Sequence, residues 1–132
     1  DNLFLIDKEG VIFAAMVEEI KLLKIRKTEA EPPSQLKLGE EVLESNLIFS
    51  ILAIELKLRD DFKIAIEEVL AVSDERLNIK TSEGWEIYFD PAKDLNWQTT
   101  KLRAVLEQEI SRDRRKSLQY IELRFGNLAS YK

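Results

Sequence analysis

Apolar and polar positions change period several times along this chain, and each change marks an element. Leu3-Phe4-Leu5-Ile6 and Val11-Ile12-Phe13-Ala14-Ala15 are short apolar runs on either side of Asp7-Lys8-Glu9-Gly10. With Gly10 free to take positive φ, they predict an opening hairpin. Val17 to Ile25 fits either a strand or a helical turn: Leu22, Leu23 and Ile25 favour the strand, and Glu18-Glu19 weaken it. Arg26 to Ser34 is polar and closes on Pro32-Pro33, which predicts a loop. The period then lengthens. From Glu41 to Arg59, Leu43, Leu47, Ile51, Ile54 and Leu58 recur every three or four residues, with Ile48 and Leu52 widening the stripe, as on one face of a helix. Acidic Glu40 and Glu41 at its start and basic Lys57 and Arg59 at its end match the helix dipole.

Phe62 to Val72 returns to period two and predicts a strand with Phe62, Ile64, Ile66, Leu70 and Val72 on one face. Glu68 breaks that face, and a bulge at Glu67-Glu68 resolves the break. Leu77 to Thr81 and Trp85 to Phe89 alternate around Ser82-Glu83-Gly84 and form the clearest hairpin, with Trp85 pointing inward. A second helix is predicted over Asp94 to Arg112, with Leu95, Leu102, Val105, Leu106 and Ile110 on one side, Trp97 partly exposed, and Asp94 or Asn96 as its cap. Arg112 to Lys116 reads as a basic connector. The closing strand places Ile121, Leu123 and Phe125 on its core face, followed by the turn-forming Gly126-Asn127 and the nearly uncharged Leu128 to Tyr131. Together these elements predict a single α+β domain: a largely antiparallel or mixed sheet of six to eight strands covered by two helices.

Composition narrows what such a domain does. A chain of 132 residues makes one ordinary domain, and its net charge of −5 argues against nucleic acid as the main partner. There is no His and no Cys, which excludes imidazole bases, thiol nucleophiles, disulfides and ordinary zinc sites. The longest apolar run, Leu47 to Ile54, is broken by Ser50 and falls short of the roughly 20 residues that span a bilayer. No signal peptide precedes the first strand, so the chain is expected to be an excised domain.

Adjacent carboxylates at Glu18-Glu19, Glu40-Glu41, Asp60-Asp61 and Glu67-Glu68 follow from having 25 acidic residues, and only Glu68 stands out. A carboxylate cleft at Glu68, in a small enzyme or carbohydrate-binding domain, is the alternative function. The basic cluster Arg112, Arg114, Arg115 and Lys116 sits where a helix C-terminus favours cations. No serine has a nucleophile-elbow setting, no glycine run cradles phosphate, and no catalytic residue, metal ligand or cofactor site is expected. The uncharged terminal stretch is different. Leu128, Ala129, Ser130 and Tyr131 lack the lysine or proline that usually blunts an exposed strand edge, which suits pairing with a strand of another chain.

Tyr120-Ile121-Glu122-Leu123-Arg124-Phe125-Gly126 resembles the C-terminal Y-[IV]-D-L-R-[FY] strand of the FtsQ/DivIB bacterial cell-division proteins. Leu5 to Phe13 is similar to the family's L-[IV]-D-x-x-G-x-x-F hairpin, and Leu77 to Phe89 to its glycine-centred pair. Lys101-Leu102-Arg103-Ala104-Val105-Leu106 is similar to the helix before its last strand. Glu122 stands where the family usually has Asp, and Arg26 to Ser34 has no evident counterpart. The resemblance implies a non-enzymatic scaffold without cofactor, the extracytoplasmic β-domain of a single-pass membrane protein whose anchor and POTRA domain lie upstream. It also implies pairing of the last strand with an FtsB/DivIC-type partner, alongside an FtsL-type coiled coil. The partner-facing residues carried over are Arg124, Phe125, Leu128, Ala129, Ser130 and Tyr131, with Arg124 meeting an acidic side chain.

Overall fold

A computed structural model of the chain describes residues 4–6, 12–15, 24–27 and 45–132. β1 (Phe4–Ile6) and β2 (Ile12–Ala15) pair antiparallel, as the opening hairpin predicts. The main sheet has six strands in the order β3 (Lys24–Lys27), β4 (Ile66–Ser73), β5 (Arg76–Thr81), β6 (Glu86–Phe89), β7 (Tyr120–Glu122) and β8 (Ser130–Tyr131). β3–β4 and β6–β7 are parallel and the other pairs antiparallel. Parallel neighbours need a crossover, which α1 (Ser45–Asp61) and α2 (Leu95–Gln108) supply.

One row of side chains crosses the whole sheet. Register sets Ile25 beside Val69, then Ile79, Ile87, Ile121 and Tyr131 in turn. Ile48, Ile51, Ile54 and Leu58 of α1 and Leu102 and Val105 of α2 join this row in one core, in which Trp85 and Phe89 are fully buried. The opposite face carries Glu68, Lys80, Glu86 and Tyr120 in one row and Leu70, Asn78, Tyr88, Glu122 and Ser130 in the next. No described helix covers that second face. The α+β class and the mixed sheet therefore stand as predicted.

Several boundaries move, for local reasons. α1 runs on to Asp61, while residues 41–44, including the acidic first turn, lie outside the described residues. Lys63 then takes a left-handed φ of 56°, and the Ile64 amide reaches back 2.9 Å to the Leu58 carbonyl. Phe62 and Ile64 thus belong to the helix exit, not to the strand, which starts at Ile66. The register slips between Ile66 and Glu68, where a bulge is predicted. Beyond that slip the buried residues are Val69 and Ala71, so the expected inward Leu70 is corrected to the opposite face, and Val72, inside a second slip between Ala71 and Ser73, is only half-buried. Leu52, placed on the α1 core stripe by spacing, is exposed together with Phe49 and Leu56, because the helix is apolar on more sides than one sheet covers.

α2 begins at the predicted cap, the Asp94 carboxylate accepting from the Trp97 amide at 2.8 Å, but it ends at Gln108 rather than Arg112. Ser111 caps a new turn by accepting from the Arg114 amide, so the expected connector is a third helix, α3 (Arg112–Arg115). Arg26 and Lys27 belong to β3 rather than to a loop. The remainder of that loop, residues 28–34, and Gly10 lie outside the described residues, as do residues 17–23 of the ambiguous stretch.

Candidate functional site

The terminal stretch is a hairpin. β7 ends at Glu122, residues 124–128 bend with Gly126 at φ 70°, and β8 folds back so that Ile121 faces Tyr131 and Glu122 faces Ser130. The Lys132 amide donates to the Tyr120 carbonyl at 3.1 Å, and the Tyr120 amide donates to the Lys132 carbonyl at 3.2 Å. Antiparallel ladders alternate bonded and non-bonded pairs. Tyr131, in a non-bonded pair with Ile121, therefore turns its N–H and C=O away from β7. By the same alternation Ala129 does so two residues earlier. β8 ends the strand order, so among the described residues these groups lie on a free sheet edge.

Alternation along a single strand predicts a buried Phe125, but Phe125 is 59% exposed. Ile121 and Leu123 are fully buried as expected. The correction has a simple cause: the strand stops before Phe125, so its period-two phase no longer applies. Leu128 is 81% exposed, more than any other large apolar side chain among the described residues. Ser130 is exposed on the open face, whereas Ala129 and Tyr131 pack their side chains on the core. The predicted residues accordingly come together in different roles. Phe125 and Leu128 present side chains, while Ala129 and Tyr131 present backbone.

Arg124 is engaged within its own chain. Its Nε and Nη2 donate to the two Glu122 carboxylate oxygens at 2.8 and 3.0 Å, and its backbone amide donates to the same carboxylate at 3.0 Å. Burial pushes the Glu122 carboxyl up, but these hydrogen bonds from Arg124 outweigh it and hold the group below the usual carboxylate range. The guanidinium also lies 4.7 Å from the Phe125 ring centroid, with Lys93 Nζ 4.9 Å from the same ring. Tyr88 and Tyr120 stack at 5.2 Å beside this clamp, and burial raises the Tyr88 phenol above its ordinary value.

The other candidates are accounted for within the fold. Glu68 forms an ion pair with Arg26 at 2.7 Å, on the sheet face away from the helices. Of the basic cluster, Arg115 reaches the Glu83 carboxylate with two nitrogens, and Arg114 lies 5.7 Å from the Tyr131 ring. A cavity of about 260 Å³ between α1 and the β6–α2 connection is lined chiefly by Phe49, Ala53, Ile54, Pro91 and Leu95, with Lys93 on its wall. No group of three carboxylates suited to a metal ion occurs among the described residues.

Of the three buried polar residues of α2 that escape the sequence reading, Thr99 returns its hydroxyl to the Leu95 carbonyl of its own helix, while Gln98 and Lys101 reach other elements. Gln98 mimics a strand at the end of β6: its Oε1 accepts from the Asp90 amide at 2.8 Å and its Nε2 donates to the Asp90 carbonyl at 2.9 Å. Lys101, only 5% exposed, directs Nζ at the carbonyls of Leu123, Phe125 and Gly126. Burial and the nearby Lys93 lower its pKa, in that order of effect. Their signal lay in spacing: residues 98, 101, 102 and 105 form one stripe at i, i+3, i+4 and i+7, and two of those core positions are polar.

Comparison with protein families matches residues 1–124 to the family described as Cell division protein FtsQ/DivIB, C-terminal. The match includes β1 to β7 and ends at Arg124, so Phe125 and β8 lie beyond it. No curated protein matches the chain.

Proposed function

Because the chain belongs to the FtsQ/DivIB family of cell-division proteins, a non-enzymatic family whose C-terminal domain is extracytoplasmic, we propose that it captures an FtsB/DivIC-type division partner by adding a partner strand to β8. The observation that carries this reading is the free β8 edge, where alternation turns the Tyr131 and Ala129 backbone groups outward. Phe125 and Leu128 supply exposed apolar side chains on the same hairpin. Arg124 commits Nε and Nη2 to Glu122, which leaves Nη1 for an acidic partner side chain. An FtsL-type coiled coil would accompany that partner. No described helix is long and apolar enough to cross a membrane. We assign the anchor to an upstream segment of a single-pass protein, followed by a POTRA domain, as the family resemblance implies.

Two proline variants test the pairing. Ala129→Pro removes an amide from the outer edge and is expected to abolish binding of a fluorescein-labelled FtsB/DivIC-type strand peptide while the domain stays folded. Ser130→Pro removes an amide facing β7 and is expected to loosen the hairpin itself. Wild-type protein that fails to bind the peptide, or a folded Ala129→Pro variant that binds it as tightly as wild type, would overturn strand addition.

A further inference from the structure

Every carbonyl from Leu123 to Gly126 accepts a hydrogen bond from a lysine of α2 or of the segment just before it. Lys101 Nζ donates to the oxygens of Leu123, Phe125 (3.3 Å) and Gly126 (3.1 Å), and Lys93 Nζ donates to that of Arg124 at 2.6 Å. Lys101 also lies 3.5 Å from the centroid of the Trp97 ring, so carbonyl dipoles and an aromatic face replace the water its ammonium has lost. Burying a cation is a poor way to glue a helix to a sheet, since an apolar side chain of that length does so without the desolvation cost. What the ammonium adds is geometry. Three carbonyls meet at one atom only if the backbone after Leu123 takes a single path, and the left-handed Gly126 permits that path.

We infer that Lys101 is a positioning residue for partner capture: it fixes the turn between β7 and β8 so that the outer edge of β8 is ordered before a partner arrives. This inference rests on the strand-addition reading. An edge strand only two residues long gains little from its own ladder, so its order depends on how its turn is held. Preordering removes part of the cost that a docking segment otherwise incurs on binding. Its loss therefore reads out as weaker capture by a protein whose core is intact.

The test uses the full 132-residue chain and the same labelled peptide. Lys101→Met keeps the aliphatic stem and removes the donors. In the free protein its Ser130 and Lys132 amides, which face β7, are expected to exchange at least about tenfold faster than wild type, while those of Ile79 and Ile87 keep their protection, and peptide affinity is expected to fall by about tenfold. Gly126→Ala serves as the second variant. Its added methyl meets nothing closer than the Leu128 carbonyl at 4.0 Å, so it disturbs the turn and leaves the core alone, and it is expected to weaken capture in the same way. Peptide affinity and terminal exchange within twofold of wild type in a folded Lys101→Met protein sink the inference. The same result in Gly126→Ala sinks it even where Lys101→Met does not fold. Wild-type protein that ignores the peptide removes strand addition and the positioning role with it, and exchange in the free protein tells the two failures apart.

Discussion

Glu122 and Arg124 are two residues apart and share a face in the sequence reading, and where β7 ends between them the Arg124 amide joins its guanidinium on the Glu122 carboxylate. The clamp makes a signed pH prediction. The folded carboxyl titrates below its ordinary, unfolded value. Its contribution is therefore complete above the ordinary carboxylate range and disappears as pH falls through the depressed folded value. Glu122→Gln is expected to cost about 1 kcal/mol near pH 7, both partners being partly exposed. Urea denaturation from pH 7 down to about pH 2 should show the wild-type advantage shrinking as the carboxyl protonates. Parallel curves for wild type and variant across that range would show that the clamp is not its source. At the same scale, Glu68 owes its place to the slip beside it and to Arg26, which explains its oddness in the sequence without a cleft.

Among the elements, β4 shows how one residue of register reverses a face. Simple alternation makes Leu70 and Val72 the core pair, whereas the slip between Ile66 and Glu68 makes it Val69 and Ala71. Val69→Ala is expected to lower stability by about 2 kcal/mol, and Val72→Ala by less than about 1 kcal/mol, in equilibrium denaturation. The opposite ranking would mean that β4 is unbulged. The position of the slip was legible because a carboxylate interrupted an apolar run. The stop of β7 carried no such mark, and neither did the helix exit through a left-handed Lys63, a place usually announced by glycine.

Across the whole molecule, a chain with a net charge of −5 gathers Lys93, Lys101, Arg114 and Arg124 around its terminal hairpin. An acidic partner should therefore associate faster than the net charge suggests. Stopped-flow association of the strand peptide is expected to slow as salt is raised from about 0.05 to 0.5 M, with dissociation little changed. A salt-independent association rate would mean that these cations do not steer binding. The types of α1, α2 and most strands, the opening hairpin, the bulge and the buried Trp85 were legible in the sequence, because period and turn chemistry are properties of neighbouring residues; α3 and the end of β3, read as connector and loop, were not. The outward Phe125, the free backbone of Ala129 and Tyr131 and the buried Lys101 were decided only by the tertiary structure. Whether a side chain is covered, or an amide is spent, depends on which strand or helix lies beside it, and here those neighbours come from α2 and from a chain end that doubles back.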